Sequence, residues 1–171
     1  MLPFAAEVMT NQFGNYLCQK LIEVSAPATL KKLVATVLPA VVEVSMDIHG
    51  TRVIQTLVET LGANEAVLGH EIVALGREMS QYIFDLAVHP NGNHVVQAFL
   101  LTFRASEKPE QPDDAGTAHF GLYTDFIFAA CMAYCDQIGS DKHGCCVMQR
   151  CLEKGLRAQK LALSDVIIAR L

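Results

Sequence analysis

Four copies of one short stretch carry the residues best suited to chemistry in this chain. They are Gly14-Asn15-Tyr16-Leu17-Cys18-Gln19, Gly50-Thr51-Arg52-Val53-Ile54-Gln55, Gly92-Asn93-His94-Val95-Val96-Gln97 and Gly144-Cys145-Cys146-Val147-Met148-Gln149. Each runs Gly, a small or polar residue, a flat or variable residue, two apolar residues and Gln. On a helix each residue advances by about 100°, so Asn15, Tyr16 and Gln19 project to one side and Leu17, Cys18 and Leu21 to the other. The apolar side is expected to pack and the polar side to stay on view. An amide or small group, a planar or cationic group and a second amide one turn later suit the edge and face of a nucleobase. In one copy the same residues are ordinary for the start of a surface helix. Four copies in register favour recognition.

No bond-making constellation accompanies them. His89, His94, His119 and His143 have no neighbouring Ser or Cys in a nucleophile context, and no glycine loop is built to cradle a phosphate. His49 and His143 are expected to pack or hydrogen-bond at the turn before the glycine. Cys131 and Cys135 stand one helical turn apart, with Cys145, Cys146 and Cys151 following, but the spacing fits no common zinc pattern. The six cysteines therefore read as reduced core residues, and neither a catalytic residue, a metal nor a cofactor is expected.

The elements that position the four stretches recur with them. Asn15 and Thr51 are 36 residues apart, Thr51 and Asn93 are 42 apart, and Asn93 and Cys145 are 52 apart. A unit of about 36 residues with insertions accounts for all three spacings and marks a helical repeat protein. Helices are expected over residues 2–9, 15–24, 27–37 and 40–47, with Pro27 at a helix start and Pro39 as a break. The second unit runs from Thr51 to Leu61, with a loop around Gly62-Ala63-Asn64 taking up its extra residues and a third helix over 69–79. Residues 80–88 open the third unit, His89-Pro90-Asn91-Gly92 is a turn, and a helix follows to about Phe103. Residues 104–120 are rich in Pro, acid and small residues, lack an apolar period and are expected to be disordered. Helical pattern resumes over 122–137, then over Cys145–Leu156 and Leu156–Arg170.

Composition bounds the class. The chain is 51% hydrophobic and 18% charged, ample for a buried core in one domain. No uncharged apolar run is long enough to span a membrane, and residues 1–10 do not resemble a secretory leader, so a soluble cytoplasmic or nuclear setting is expected. The net charge of −5 opposes binding to nucleic acid. Part of it is local, because Glu107, Glu110, Asp113 and Asp114 outnumber Lys108 within residues 105–124. Lys20, Arg52 and Arg150 lie in or beside the four stretches.

These residues resemble the Pumilio-type (PUF) RNA-binding repeat. The resemblance includes the approach to each glycine, Asn11-Gln12-Phe13, Asp47-Ile48-His49, His89-Pro90-Asn91 and Asp141-Lys142-His143, and the apolar tail after each Gln. It implies an all-α, right-handed α-solenoid of three-helix repeats over residues 1–37, 38–79, 80–131 and 132–171. It also implies about half of the usual eight-repeat array, in keeping with the strongly apolar last helix.

By the same resemblance, the second and sixth residues of each stretch contact the Watson–Crick edge of one base, the third stacks, and the RNA runs antiparallel to the chain. The base-edge residues are then Asn15, Gln19, Thr51, Gln55, Asn93, Gln97, Cys145 and Gln149, and the stacking residues Tyr16, Arg52, His94 and Cys146. Asn15 with Gln19 and Asn93 with Gln97 match the uracil-reading pair. Thr51 with Gln55 and Cys145 with Gln149 resemble the adenine-reading pair, for a core of 5′-AUAU-3′. Cys146 departs from the Arg, Tyr, His or Asn usual at the stacking position, and Thr51 replaces the commoner Ser or Cys. The expected partner is single-stranded mRNA in post-transcriptional regulation, with protein co-regulators on the convex face. The alternatives are an interaction scaffold of the same fold, or a ribosome-assembly relative that binds structured RNA.

Overall fold

The structure, a computed structural model, describes residues 4–103 and 123–170. Twelve α-helices and one short 3₁₀ turn are found among these residues, with no strand. The expected disorder of 104–120 lies outside the described residues. The first unit comprises α1 (Phe4–Thr10), α2 (Gly14–Val24) and α3 (Pro27–Val37), with Pro27 inside the first turn of its helix. The second opens with a 3₁₀ turn, Leu38–Ala40, and continues as α4 (Val41–Met46), α5 (Gly50–Ala63) and α6 (Glu65–Ser80). The third is α7 (Ile83–Val88), α8 (Gly92–Thr102) and α9 (Asp125–Ala133). The fourth is α10 (Cys135–Ser140), α11 (Gly144–Lys154) and α12 (Arg157–Ile168).

The extra residues of the second unit do not form a loop at Gly62-Ala63-Asn64. Helix α5 runs through Gly62 to Ala63, only Asn64 interrupts, and α6 follows at once with a kink at Leu68 (φ −115°, ψ 19°). Gly62 keeps the helical path because its neighbours pack: Leu61 is fully buried, and the missing Cβ leaves room for Thr102 of α8. Near the fourth unit, helical structure breaks at Tyr134, which divides α9 from α10.

Each copy of the stretch begins a helix, and α2, α5, α8 and α11 pack against one another in chain order. The first helix of each unit packs on this row, α1 on α2, α4 on α5, α7 on α8 and α10 on α11, and third helices pack on one another, α3 on α6 and α9 on α12. This is a right-handed α-solenoid, stabilised through contacts between neighbouring units. The packed residues include Val53, Val95 and Val147 at the fourth position of the stretch, all fully buried.

The first unit departs from the expected split between a packed apolar side and an open polar one. Leu17 and Leu21 are 68% and 48% exposed, whereas their counterparts Val53 and Leu57 are fully buried. The helix is the same, but no unit lies ahead of α2 among the described residues to cover that side. Ile22 faces the core instead and is fully buried.

Candidate nucleic-acid interface

The turn before each glycine is built one way four times. A side-chain acceptor three residues ahead of the glycine takes the two backbone N–H groups that would otherwise be left over at the helix start. Asn11 Oδ1 accepts from Phe13 and Gly14 at 2.9 and 3.0 Å, and Asp47 Oδ1 from His49 and Gly50 at 2.8 and 2.7 Å. His89 Nδ1 accepts from Asn91 and Gly92 at 3.2 Å each, and Asp141 Oδ1 from His143 and Gly144 at 2.8 Å each. These N–H groups, Gly144 first and His143 second, hold the Asp141 carboxyl below its ordinary pKa. The glycine itself is required by close approach. A Cβ on Gly14 would stand 2.5 Å from the Val8 carbonyl oxygen, and one on Gly92 would stand 2.9 Å from that of Leu86. Gly50 meets Val44, and Gly144 meets Ile138, in the same way. The short first helix thus seats the second at a fixed angle and aims its first turn.

That first turn carries the proposed base-edge residues, and three of the four are not open as expected. Asn15, Thr51 and Asn93 are only 3%, 3% and 2% exposed. Asn15 Nδ2 donates to the carbonyl oxygens of Asn11 (2.9 Å) and Gln12 (3.0 Å), and Asn93 Nδ2 to those of His89 (2.7 Å) and Pro90 (2.8 Å). Each asparagine then accepts from its glutamine: Gln19 Nε2 lies 3.0 Å from Asn15 Oδ1, and Gln97 Nε2 lies 2.9 Å from Asn93 Oδ1. Both N–H groups of the asparagine are committed to the backbone, while the glutamine keeps one N–H and its Oε1. The reason is geometric, since a short amide on the first turn reaches the carbonyls of the preceding turn, of which those of Asn11 and His89 also accept the asparagine's own backbone N–H, at 3.1 and 3.2 Å.

The second unit is wired differently. Thr51 Oγ1 donates across to the Asn91 carbonyl at 3.0 Å, and Asn91 Nδ2 donates back to the Met46 carbonyl at 2.9 Å, so two bonds tie the second and third units beside this position. Gln55 Nε2 donates to Thr51 O (3.1 Å) and Oγ1 (3.2 Å), which leaves Oε1 as its free group. In the fourth unit Cys145 is half-buried with Sγ 3.5 Å from the Lys142 carbonyl, and Gln149 is exposed.

The four expected stacking residues, Tyr16, Arg52, His94 and Cys146, are all exposed, Tyr16 to 70%. Of the nearby cations, Lys20 pairs with Glu23 at 2.9 Å and Arg150 with Glu153 at 2.7 Å, whereas Arg52 has no ion pair among the described residues. The turn acceptors Asn11, Asp47, His89 and Asp141, and the bridging Asn91, stand out in sequence only as part of the approach to each glycine, without a hydrogen-bonding role. An acceptor side chain three residues ahead of every glycine was the signal available. Backbone N–H groups of His49 and His143 do bond at the turn, while His143 Nε2 is buried without a partner among the described residues.

The cysteines are free thiols. Cys131 and Cys151 Sγ atoms lie 3.9 Å apart in the core, and this hydrogen bond, with burial, pushes the Cys151 thiol well above its ordinary pKa. No group of three or more His, Cys, Asp or Glu is placed to hold a metal among the described residues. No described helix is long and apolar enough to cross a membrane.

An α-solenoid with a row of side chains repeated once per unit defines a helical repeat protein. The Pumilio-family RNA binding repeat matches residues 5–38, 40–65, 82–108 and 134–168, and the chain belongs to that family, one of binding proteins rather than enzymes. Pumilio homolog 12 of Arabidopsis thaliana is 32% identical over 173 residues, covering 98% of this chain and 25% of the relative. Suppressor protein MPT5 of Saccharomyces cerevisiae is 30% identical over 168 residues, covering 97% and 18%. Among solved structures, the Puf4 RNA binding domain bound to the HO endonuclease RNA 3′ UTR recognition sequence is similar with a TM-score of 0.81 and 34% identity, over 97% of this chain and 45% of that one. The RNA-binding domain of yeast Puf5p bound to MFA2 RNA has a TM-score of 0.78 and 26% identity, over 98% and 42%. The chain spans about a quarter or less of the length of these curated relatives, and under half of these RNA-binding domains.

Proposed function

We propose that this chain binds single-stranded RNA in a sequence-specific manner, one base per repeat, as part of an mRNA regulator. The carrying observation is the four-fold row itself: a Gln on each of α2, α5, α8 and α11, with an exposed Tyr, Arg, His or Cys three residues ahead of it. Relatives of this fold are seen bound to 3′ UTR recognition sequences, which supports the same ligand class here. An acidic chain binds RNA on this reading through stacking and edge contacts more than through phosphate charge.

The hydrogen bonds favour a division of labour. In the first and third units the glutamine offers one N–H and one acceptor, a match for a uracil O2 or O4 and its N3–H. In the second, Gln55 offers its Oε1, a match for the adenine 6-amino group. Read from the last repeat to the first, the core is 5′-AUAU-3′. The test is selection of bound RNAs from a random pool, followed by exchange at the first repeat. Replacing Asn15 by Ser and Gln19 by Glu makes a pair whose carboxylate accepts from guanine N1–H and N2–H. A good paired contact discriminates by about 1–3 kcal/mol, or about 5- to 150-fold, so preference at the 3′-terminal base is expected to move from U to G. Equal loss of affinity for all four bases would reject the reading in favour of an interaction scaffold.

A further inference from the structure

Beside the glutamine row, the second and third units are tied through a residue outside that row, Asn91, in the turn that opens α8. Its Nδ2 donates to the Met46 carbonyl at the end of α4 at 2.9 Å, and its own carbonyl accepts from Thr51 Oγ1 at 3.0 Å. Within its turn, the same carbonyl accepts from the backbone N–H of His94 at 3.1 Å, and the Asn91 N–H donates to His89 Nδ1 at 3.2 Å. Asn91 is therefore fixed both by its own turn and by the unit before it. Phe13, His49 and His143 hold its place in the other units, and no side-chain bond joins two units at those places among the described residues.

The tie decides where one proton goes. A hydroxyl has a single proton to donate, and Thr51 Oγ1 gives it to Asn91. Thr51 is 3% exposed, so water does not compete for that proton. Toward Gln55, 3.2 Å away, Oγ1 can then only accept, and the Thr51 carbonyl, 3.1 Å from the same amide, can only accept as well. Both inward contacts of Gln55 take its N–H groups, and the amide is locked with Oε1 outward. An outward oxygen accepts from the 6-amino group of adenine and is repelled by O4 of uracil. Were the proton freed from Asn91, Oγ1 would offer a donor as well as an acceptor, and the Thr51 carbonyl alone would hold the amide.

We infer that Asn91 is a positioning residue for RNA recognition: a residue of the third repeat sets which base the second repeat prefers, adenine over uracil. The inference rests on the reading that Gln55 meets a base edge. It makes this junction non-modular, because a change at Asn91 alters the base read by its neighbour, while its own repeat reads through Asn93 and Gln97.

The experiment titrates the full chain by fluorescence anisotropy with labelled RNAs whose cores are 5′-AUAU-3′, 5′-AUUU-3′, changed at the second repeat's base, and 5′-AUAA-3′, changed at the first repeat's. Asn91→Ala is expected to lower the preference for 5′-AUAU-3′ over 5′-AUUU-3′ by about two- to twelve-fold, the range one hydrogen bond commands. Thr51→Val, which removes the hydroxyl, should lower it as far, and Thr51→Ser, which restores the hydroxyl, should recover it. In the Thr51→Val background Asn91→Ala should change the ratio no further, since both act through one proton. The preference for 5′-AUAU-3′ over 5′-AUAA-3′ should stay at the parent value throughout, which a general loosening of the stack would not spare. Should Asn91→Ala fail to fold, Asn91→Asp, which keeps the size but has no N–H for Met46, takes its place with the same expectations. A parent chain that discriminates at none of the bases overturns the proposed function and this inference together. A parent that discriminates at the first repeat but does not prefer adenine at the second overturns the inference alone, as does an Asn91 variant that keeps the parent ratio or loses both preferences equally.

Discussion

Asn15 and Gln19 stand one turn apart and share a hydrogen bond, yet they answer to different parts of the molecule. Asn15 is tied to two carbonyls of the turn that seats its helix, whereas the hydrogen bond of the Gln19 side chain among the described residues goes to Asn15. Asn15→Ala removes the two hydrogen bonds its amide donates to the turn, each contributing about 0.5–1.5 kcal/mol, together with the one it accepts from Gln19, and is expected to cost at least about 1–3 kcal/mol of stability as well as RNA affinity. Gln19→Ala should stay within about 0.5 kcal/mol of the parent in stability while losing discrimination at its base. Urea unfolding and RNA titration of both variants check this, and equal stability losses would show that Gln19 also holds the fold. The sequence made the pair legible through its spacing, but not its wiring. Helical periodicity gives the side on which Asn15 lies; it does not show that a short amide on a first turn folds back onto the carbonyls of the turn behind it.

At the scale of the element, the four glycine turns repeat one device with three chemistries: an amide in Asn11, carboxylates in Asp47 and Asp141, and an imidazole in His89. Asp47→Ala is expected to cost about 0.5–2 kcal/mol, the usual range for loss of a side chain that satisfies a helix start. Thermal melting of that variant against Glu43→Ala, an exposed neighbour outside the turn, measures it; no difference between the two would show the turn to be passive. Asp141 adds a pH signature. Its carboxyl is lowered in the fold, so its contribution is fully present above the unfolded group's pKa and is lost as pH falls through the folded one. The stability gap between the parent and Asp141→Asn should therefore narrow on acidification through the carboxylate range, and a gap independent of pH would contradict the assignment. Most helices could be read from Pro and Gly punctuation, as with Pro27 and the four stretch glycines. Gly62 misled, because its glycine serves an approach between α5 and Thr102 of α8, a contact between repeats that local sequence does not display.

The whole molecule behaves as a row whose stability lies in its junctions, and the first unit shows what one missing junction does. Leu21 and Leu57 hold the same place on successive helices, yet Leu57 is fully buried while Leu21 is 48% exposed. Truncating a buried leucine removes transfer energy and leaves a cavity, about 2–5 kcal/mol, whereas an exposed one loses neither in full. Leu57→Ala should therefore destabilise the chain by about 2–5 kcal/mol and Leu21→Ala by less than about 1 kcal/mol, measured by urea unfolding of each. Periodicity alone predicts equal costs, since both leucines carry the same apolar mark in the repeat. A difference of several-fold would place the stabilising energy between units rather than within them. Equal costs would mean that α2 is covered in solution by something other than a neighbouring repeat, such as a second copy of the chain, and sedimentation at two concentrations would then separate those cases.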